Sequence, residues 1–99
     1  MDILIQFVKM PTSDTLNDYT EQKLKKLAEK YEWLIRAEVY FKQGQDKTGN
    51  ASICEIEVSA PGPRVFASAS HKHFEGAAKE ALSDLNRQLK KRKATFTAH

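Results

Sequence analysis

The residues of this 99-residue chain whose types could do chemistry are three histidines, one cysteine and two sets of basic side chains. His71 and His73 flank an expected strand-to-helix corner, where active groups can sit. A metal site needs about three protein ligands, and no acid or cysteine stands at ligand spacing beside this pair. Cys54 falls on the inward side of an alternating segment, where a cysteine behaves as a small core residue. Alone, it can form neither an internal disulfide nor a cysteine zinc cluster. His99 lies in an expected frayed tail. There is no Gly-rich phosphate loop, Gly-x-Ser-x-Gly elbow or paired-carboxylate signature. The expectation is a protein that is not an enzyme and uses no metal, cofactor or small-molecule substrate.

The basic residues are more informative. Residues 1–63 hold 8 basic and 10 acidic side chains, whereas residues 64–99 hold 8 basic and 3 acidic. Arg87, Lys90, Lys91, Arg92 and Lys93 fall within seven positions that contain no acid. Such a run repels itself and favours a polyanion. The competing explanation is a solvated helix end, where cations offset the negative pole of the dipole. At about 100° per residue, with Lys23 as origin, Lys26, Tyr19 and Lys30 fall at ~300–340° on one helix. Its apolar set, Leu16, Leu24, Leu27 and Tyr31, spans ~20–100°, and Asp14, Asp18, Glu21, Glu29 and Glu32 gather at ~160–240°. Lys25 alone sits among the acids. A merely solubilising face would mix signs, so the Lys23–Lys26–Lys30 ridge points to a negative partner. On a later helix, with Arg87 as origin, Lys79, Asn86, Lys90 and Lys93 lie at ~240–300°, beside an apolar stripe near ~160°. Arg87 and Lys91 lie near Glu80 and Asp84, so Arg87 is either an intrahelical ion-pair partner or a phosphate fork. Two basic flanks bordering one groove fit the backbone spacing of folded RNA.

The elements that must position these residues follow from periodicity. Ile3–Val8 is a β-branched-rich run expected as a strand buried on both faces, hence central or half-parallel. Pro11 to Asp14 stops it, with Ser13 as N-cap of a helix running to about Tyr31. Residues 35–42 alternate, with Ala37, Val39 and Phe41 inward. Gly44–Asn50 is expected as a polar loop. Ala51–Ser59 alternates again, with Cys54, Ile56 and Val58 inward. Ala60-Pro61-Gly62-Pro63 is a tight turn. Arg64–Ser70 is a strand with Val65, Ala67 and Ala69 inward. Phe74, Ala78, Ala81, Leu82, Leu85 and Leu89 trace a second helix from His73 to about Lys93, and residues 94–99 are expected to fray. The order β-α-β-β-β-α predicts an α+β fold: a four-stranded mixed sheet with two helices packed on one face.

Length and composition set the outer bounds. The chain has 16 Lys+Arg against 13 Asp+Glu, with 40% hydrophobic residues. That composition excludes a disordered or low-complexity chain. Ninety-nine residues are one domain's worth. No segment approaches the ~18 apolar residues of a membrane span, and Met1–Phe7 has no basic flank or cleavage pattern of a secretory leader. A cytoplasmic protein without a membrane partner is expected.

The element order, the strand Val65-Phe66-Ala67-Ser68-Ala69 and the helix ending Leu85-Asn86-Arg87-Gln88-Leu89-Lys90-Lys91-Arg92-Lys93 resemble the short ribosome hibernation promoting factors and their relative, ribosome-associated inhibitor A. That family carries a small-Ala-Ser-Ala strand and a Leu-x-Arg-Gln-Leu-x-Lys-x-Lys tail, and its first helix has lysines at the positions of Lys23 and Lys26. The resemblance covers nearly the whole chain. It implies binding of small-subunit rRNA in the channel used by mRNA and tRNA, with translation silenced in stationary phase or stress. Carried over by position, the implied rRNA-binding residues are Lys23, Lys26, Arg87, Lys91 and Lys93; the helical wheel adds Lys30, Lys79 and Lys90. It further implies the small ribosomal subunit and its rRNA as partners, a second hibernation factor as a candidate helper in pairing ribosomes, and a monomer off the ribosome. Residues 1–93 would be the ribosome-binding domain. At 99 residues the chain is expected to act like the short form, without a C-terminal dimerisation domain. It departs from the family pattern at His73, Phe74 and Glu75 and again at Ala77-Ala78-Lys79, where Lys79 replaces an acid.

Two other functions are consistent with parts of the sequence. Without the first strand, the order α-β-β-β-α is that of a double-stranded RNA-binding domain, although the extra strand and the missing loop signature argue against it. Alternatively, the outer sheet face, with Arg36, Glu38, Tyr40, Lys42, Ile53, Glu55, Glu57 and Phe66, could dock a protein.

Overall fold

The computed structural model describes residues 1–47 and 49–97. Six elements follow in the expected order: β1 (Asp2–Phe7), α1 (Asp14–Lys30), β2 (Arg36–Asp46), β3 (Gly49–Ser59), β4 (Val65–His71) and α2 (Phe74–Thr97). The sheet order is β1-β2-β3-β4, with β1 parallel to β2 and the other pairs antiparallel. The α+β fold class therefore holds.

Local chemistry sets the helix ends. Ser13 has extended backbone angles, and its hydroxyl accepts the Leu16 N–H at 3.3 Å. Asp14 places a negative charge in the first turn of α1, where the dipole favours it. At the other end the Tyr31 N–H donates to the Leu27 carbonyl at 2.7 Å. Gly62 adopts φ +93° in the turn before β4, a conformation that costs glycine little.

One face of the sheet holds the core. Ala37, Val39 and Phe41 of β2 align with Val58, Ile56 and Cys54 of β3. Those in turn align with Val65, Ala67 and Ala69 of β4. All but the half-buried Ala69 are buried. Against them lie Leu16 and Leu24 of α1 and Ala77, Ala78, Ala81, Leu85 and Leu89 of α2. Each fully buried leucine or isoleucine contributes roughly 1.5–3 kcal/mol. Alanines on both β4 and α2 let the two backbones approach closely. At that approach the Gln88 amide donates to the Phe66 carbonyl at 2.8 Å and to Asp84 at 2.9 Å. The Arg-Gln-Leu signature thus includes a clip that ties α2 to an edge strand.

Three expectations about the elements are corrected. First, β1 is an edge strand, not a central one. Its inward residues Ile3, Ile5 and Phe7 are only half-buried, and Leu4 is 37% exposed. The crossover through α1 lays β1 beside β2, and among the described residues no strand pairs with its other edge. Second, the expected loop at 44–50 is mostly strand: β2 runs to Asp46 and β3 starts at Gly49. The ladder is made by backbone groups, so polar side chains do not end it, and Gly49 takes φ +115° where β3 begins. Third, α2 continues through 94–97, which are helical rather than frayed. Phe96 meets Trp33 edge-on at 5.1 Å, and Trp33 in turn packs on Tyr31. This anchor is long-range and invisible to periodicity.

Candidate nucleic-acid interface

The core stripes of α1 and α2 turn both helices so that their basic flanks border one groove. It has a volume of about 310 Å³ and is lined by Tyr19, Lys23, Lys26 and Leu27 of α1 and by Lys79, Leu82, Ser83 and Asn86 of α2. Among the described residues, no carboxylate lines it. Lys23, Lys26 and Lys79 are exposed, so their ammonium groups keep their hydration while their stems cover apolar surface.

Tyrosines organise the rest of the ridge. The Lys23 ammonium lies 5.7 Å from the Tyr19 ring centre. At the far end the buried Tyr31 ring holds Lys30 at 5.4 Å and Lys93 at 5.9 Å. The Tyr31 hydroxyl donates to Asn86 Oδ1 at 3.2 Å, and Asn86 is itself a groove residue. Lysines from both helices are therefore held on a ring whose hydroxyl reaches the groove. Each such cation–π contact contributes about 0.5–1 kcal/mol at an exposed site. Lys90 is also exposed, on the flank that the helical wheel assigns to Lys79 and Lys93. Among the described residues no ion pair involves Lys23, Lys26, Lys30, Lys79 or Lys90.

Arg87 stands elsewhere. It lines a second depression, of about 590 Å³, between α2 and β4, shared with Lys79, Glu80, Ser83 and Asp84. Its guanidinium is paired with Asp84 at 3.2 Å, as the ion-pair alternative anticipated. Lys91, one turn further on, is exposed. The helices thus bring Lys23, Lys26 and Lys79 to one groove and Lys30 and Lys93 to the Tyr31 ring, while Arg87 meets only Lys79 of this set, in the second depression. The cations at 87–93 do not cap the helix dipole, because α2 continues to Thr97 and its last turn has no basic residue. Arg92 turns away to donate to the Pro63 carbonyl.

The histidine corner is built differently. The His71 and His73 rings are 6.4 Å apart, and His71 Nδ1 accepts the His73 backbone N–H at 3.3 Å. Among the described residues, no group of three or more His, Cys, Asp or Glu is arranged to hold a metal ion. Burial pushes the Cys54 thiol up to about 12, so it stays protonated and unreactive at neutral pH. His99 lies outside the described residues. No helix among the described residues is long and apolar enough to cross a membrane.

Comparison with known proteins adds to this geometry. Residues 3–96 match the family described as Sigma 54 modulation protein / S30EA ribosomal protein. A sequence comparison with curated proteins gives no significant match. Among solved structures, a ribosomal subunit interface protein from Coxiella burnetii superposes with a TM-score of 0.81 at 23% identity, covering 95% of this chain and 99% of that one. At that identity the likeness is one of fold. The N-terminal domain of Protein Y from Thermus thermophilus superposes with a TM-score of 0.73 at 25% identity, covering 92% of this chain and 98% of that one.

Proposed function

The chain belongs to the sigma 54 modulation protein / S30EA ribosomal protein family, and on that premise we propose that it is a hibernation factor that binds small-subunit rRNA in the mRNA and tRNA channel. It blocks translation by occupying space that those ligands need, and no covalent step is involved. Lys23, Lys26, Lys30, Lys79, Lys90 and Lys93 neutralise rRNA phosphates along the interhelical groove. Arg87 and Lys91 contribute from the β4 side of α2. The protein works in the cytoplasm with the ribosome as partner, and a second hibernation factor serves where ribosomes pair.

The observation that carries this proposal is the groove itself. Lysines from two helices converge there with no carboxylate among the lining residues. Unneutralised cations held side by side repel one another, and an RNA backbone relieves that repulsion while releasing its counterions.

Co-sedimentation with ribosomal subunits tests it, at near-physiological salt and with excess duplex RNA as competitor. Migration with the small subunit despite the competitor is the expected result. Loss to the competitor would make the protein a generic duplex-RNA binder. Failure to bind either would reduce the lysines to solvated surface.

A further inference from the structure

Beyond the groove lies a larger cavity that phosphate neutralisation does not require. It has a volume of about 660 Å³ and opens between the start of α1, the start of α2 and the middle of the β2–β3 hairpin. That size falls within the ~300–1,000 Å³ of pockets that take a small organic group. Tyr19 and Phe74 supply aromatic surface, Gln43 an amide, and Lys72 and Lys79 two cations against one carboxylate, Glu75. Ser52, itself buried, donates to the Lys72 carbonyl at 3.4 Å and fixes the rim that bears Lys72. The Phe74 ring is held edge-on against Phe41, with centres 5.9 Å apart, so the wall is preformed.

We propose that this cavity takes one unpaired nucleotide of the RNA whose backbone follows the groove. The inference rests on the proposed RNA-binding groove. The chemistry required is a flat aromatic group with hydrogen-bonding edges, attached to an anion. Aromatic rings stack on a base without regard to its sequence. An amide such as Gln43 both donates and accepts, which suits a base edge. Continuity assigns the source: Tyr19 and Lys79 line both the groove and this cavity. A strand neutralised at Lys23 and Lys26 therefore brings its next nucleotide to the cavity mouth. A continuous duplex keeps its bases stacked and has none to offer, whereas a bulge or loop does.

Fluorescence anisotropy with the full chain tests this, using two labelled RNA duplexes that differ by one bulged nucleotide. The bulged RNA should bind about tenfold more tightly. Gln43→Ala and Lys72→Gln should each shrink that ratio. Lys26→Gln should weaken both RNAs and leave the ratio unchanged. Equal affinity for the two RNAs, or a ratio indifferent to Gln43 and Lys72, would overturn the proposal. So would saturable binding of free nucleoside monophosphate that leaves the affinity for the bulged RNA unchanged, which would assign the cavity to a free nucleotide. Co-sedimentation of the wild type with the small subunit separates the two ideas. If it persists without a bulge preference, the cavity proposal falls and the groove stands. If the preference is present without co-sedimentation, the ribosomal assignment falls and the cavity stands.

Discussion

The two faces of this molecule use charge in opposite ways. On the outer face of the sheet, charged side chains neutralise one another. Arg36 pairs with Glu38 at 3.0 Å, Lys42 with Glu55 at 2.9 Å and Arg64 with Glu57 at 2.8 Å. Tyr40 adds a hydroxyl donated to Glu38 at 3.1 Å. On the helical face, Lys23, Lys26 and Lys79 meet across a groove whose lining includes no acid. A small net charge therefore hides one self-satisfied surface and one that is not. Where cations are paired internally, an external anion must displace a carboxylate; where they are unpaired, it need only displace water and counterions. This is why the helices, and not the sheet, are the face proposed to meet RNA.

Charge reversal should break the contrast most sharply. The double change Lys26→Glu and Lys79→Glu should weaken binding to the small subunit by about 100-fold or more, since it would remove two proposed phosphate contacts and add two repulsions. Both residues are exposed, so the melting temperature should move little. Lys42→Glu on the sheet face should change binding by less than about threefold, because that lysine is screened by Glu55. Binding measured by co-sedimentation titration checks both. Equal losses from the two faces would end the distinction. A milder change sharpens it: Lys26→Gln should lower the slope of log K against log salt by about 1, and Lys42→Gln should leave it unaltered.

Much of this contrast was legible in the sequence, for a physical reason. Helical faces repeat at a fixed angle, so the Lys23–Lys26–Lys30 ridge and the Lys79–Lys90–Lys93 flank could be located once the apolar stripes were set. The inward rows Ala37-Val39-Phe41 and Cys54-Ile56-Val58 followed from strand alternation in the same way. What the pattern missed depends on partners distant in sequence. The edge position of β1 depends on what lies outside it. The continuation of α2 to Thr97 depends on Trp33 receiving Phe96, and the extended hairpin depends on backbone ladder bonds that no side chain announces. The 660 Å³ cavity draws its walls from α1, the β2–β3 hairpin and α2, and no local signal links Tyr19, Gln43 and Phe74.

Arg87 is the intermediate case between the two faces. It lies on a helix but behaves like the sheet residues, being paired with Asp84 at 3.2 Å. Its depression also contains Glu80. If unpaired charge is what matters, Arg87→Gln should weaken ribosome binding by only about threefold, less than the same change at Lys26. Asp84→Asn should then strengthen binding, because it frees the guanidinium. A loss at Arg87 larger than at Lys26 would show that the forked geometry of arginine on the β4 side outweighs the groove.

The smallest effect belongs to the sheet face and is read by pH. Glu38 titrates below its ordinary value of 4.5, chiefly because it accepts a hydrogen bond from Arg36 and then one from Tyr40. A carboxylate whose pKa is lowered by folding adds stability that is fully present above the unfolded value. That stability is lost as pH falls through the lowered native value. Glu38→Gln should therefore melt slightly below the wild type at pH 7, and the gap should close on acidification past 4.5. The side chain is solvent-accessible, so salt should shrink the gap as well. Ribosome binding by this variant should be unchanged at pH 7. Should Glu38→Gln instead weaken binding while leaving the melting temperature alone, the paired network of the outer sheet face would itself be a recognition surface, and the division of labour between the two faces would have to be reversed.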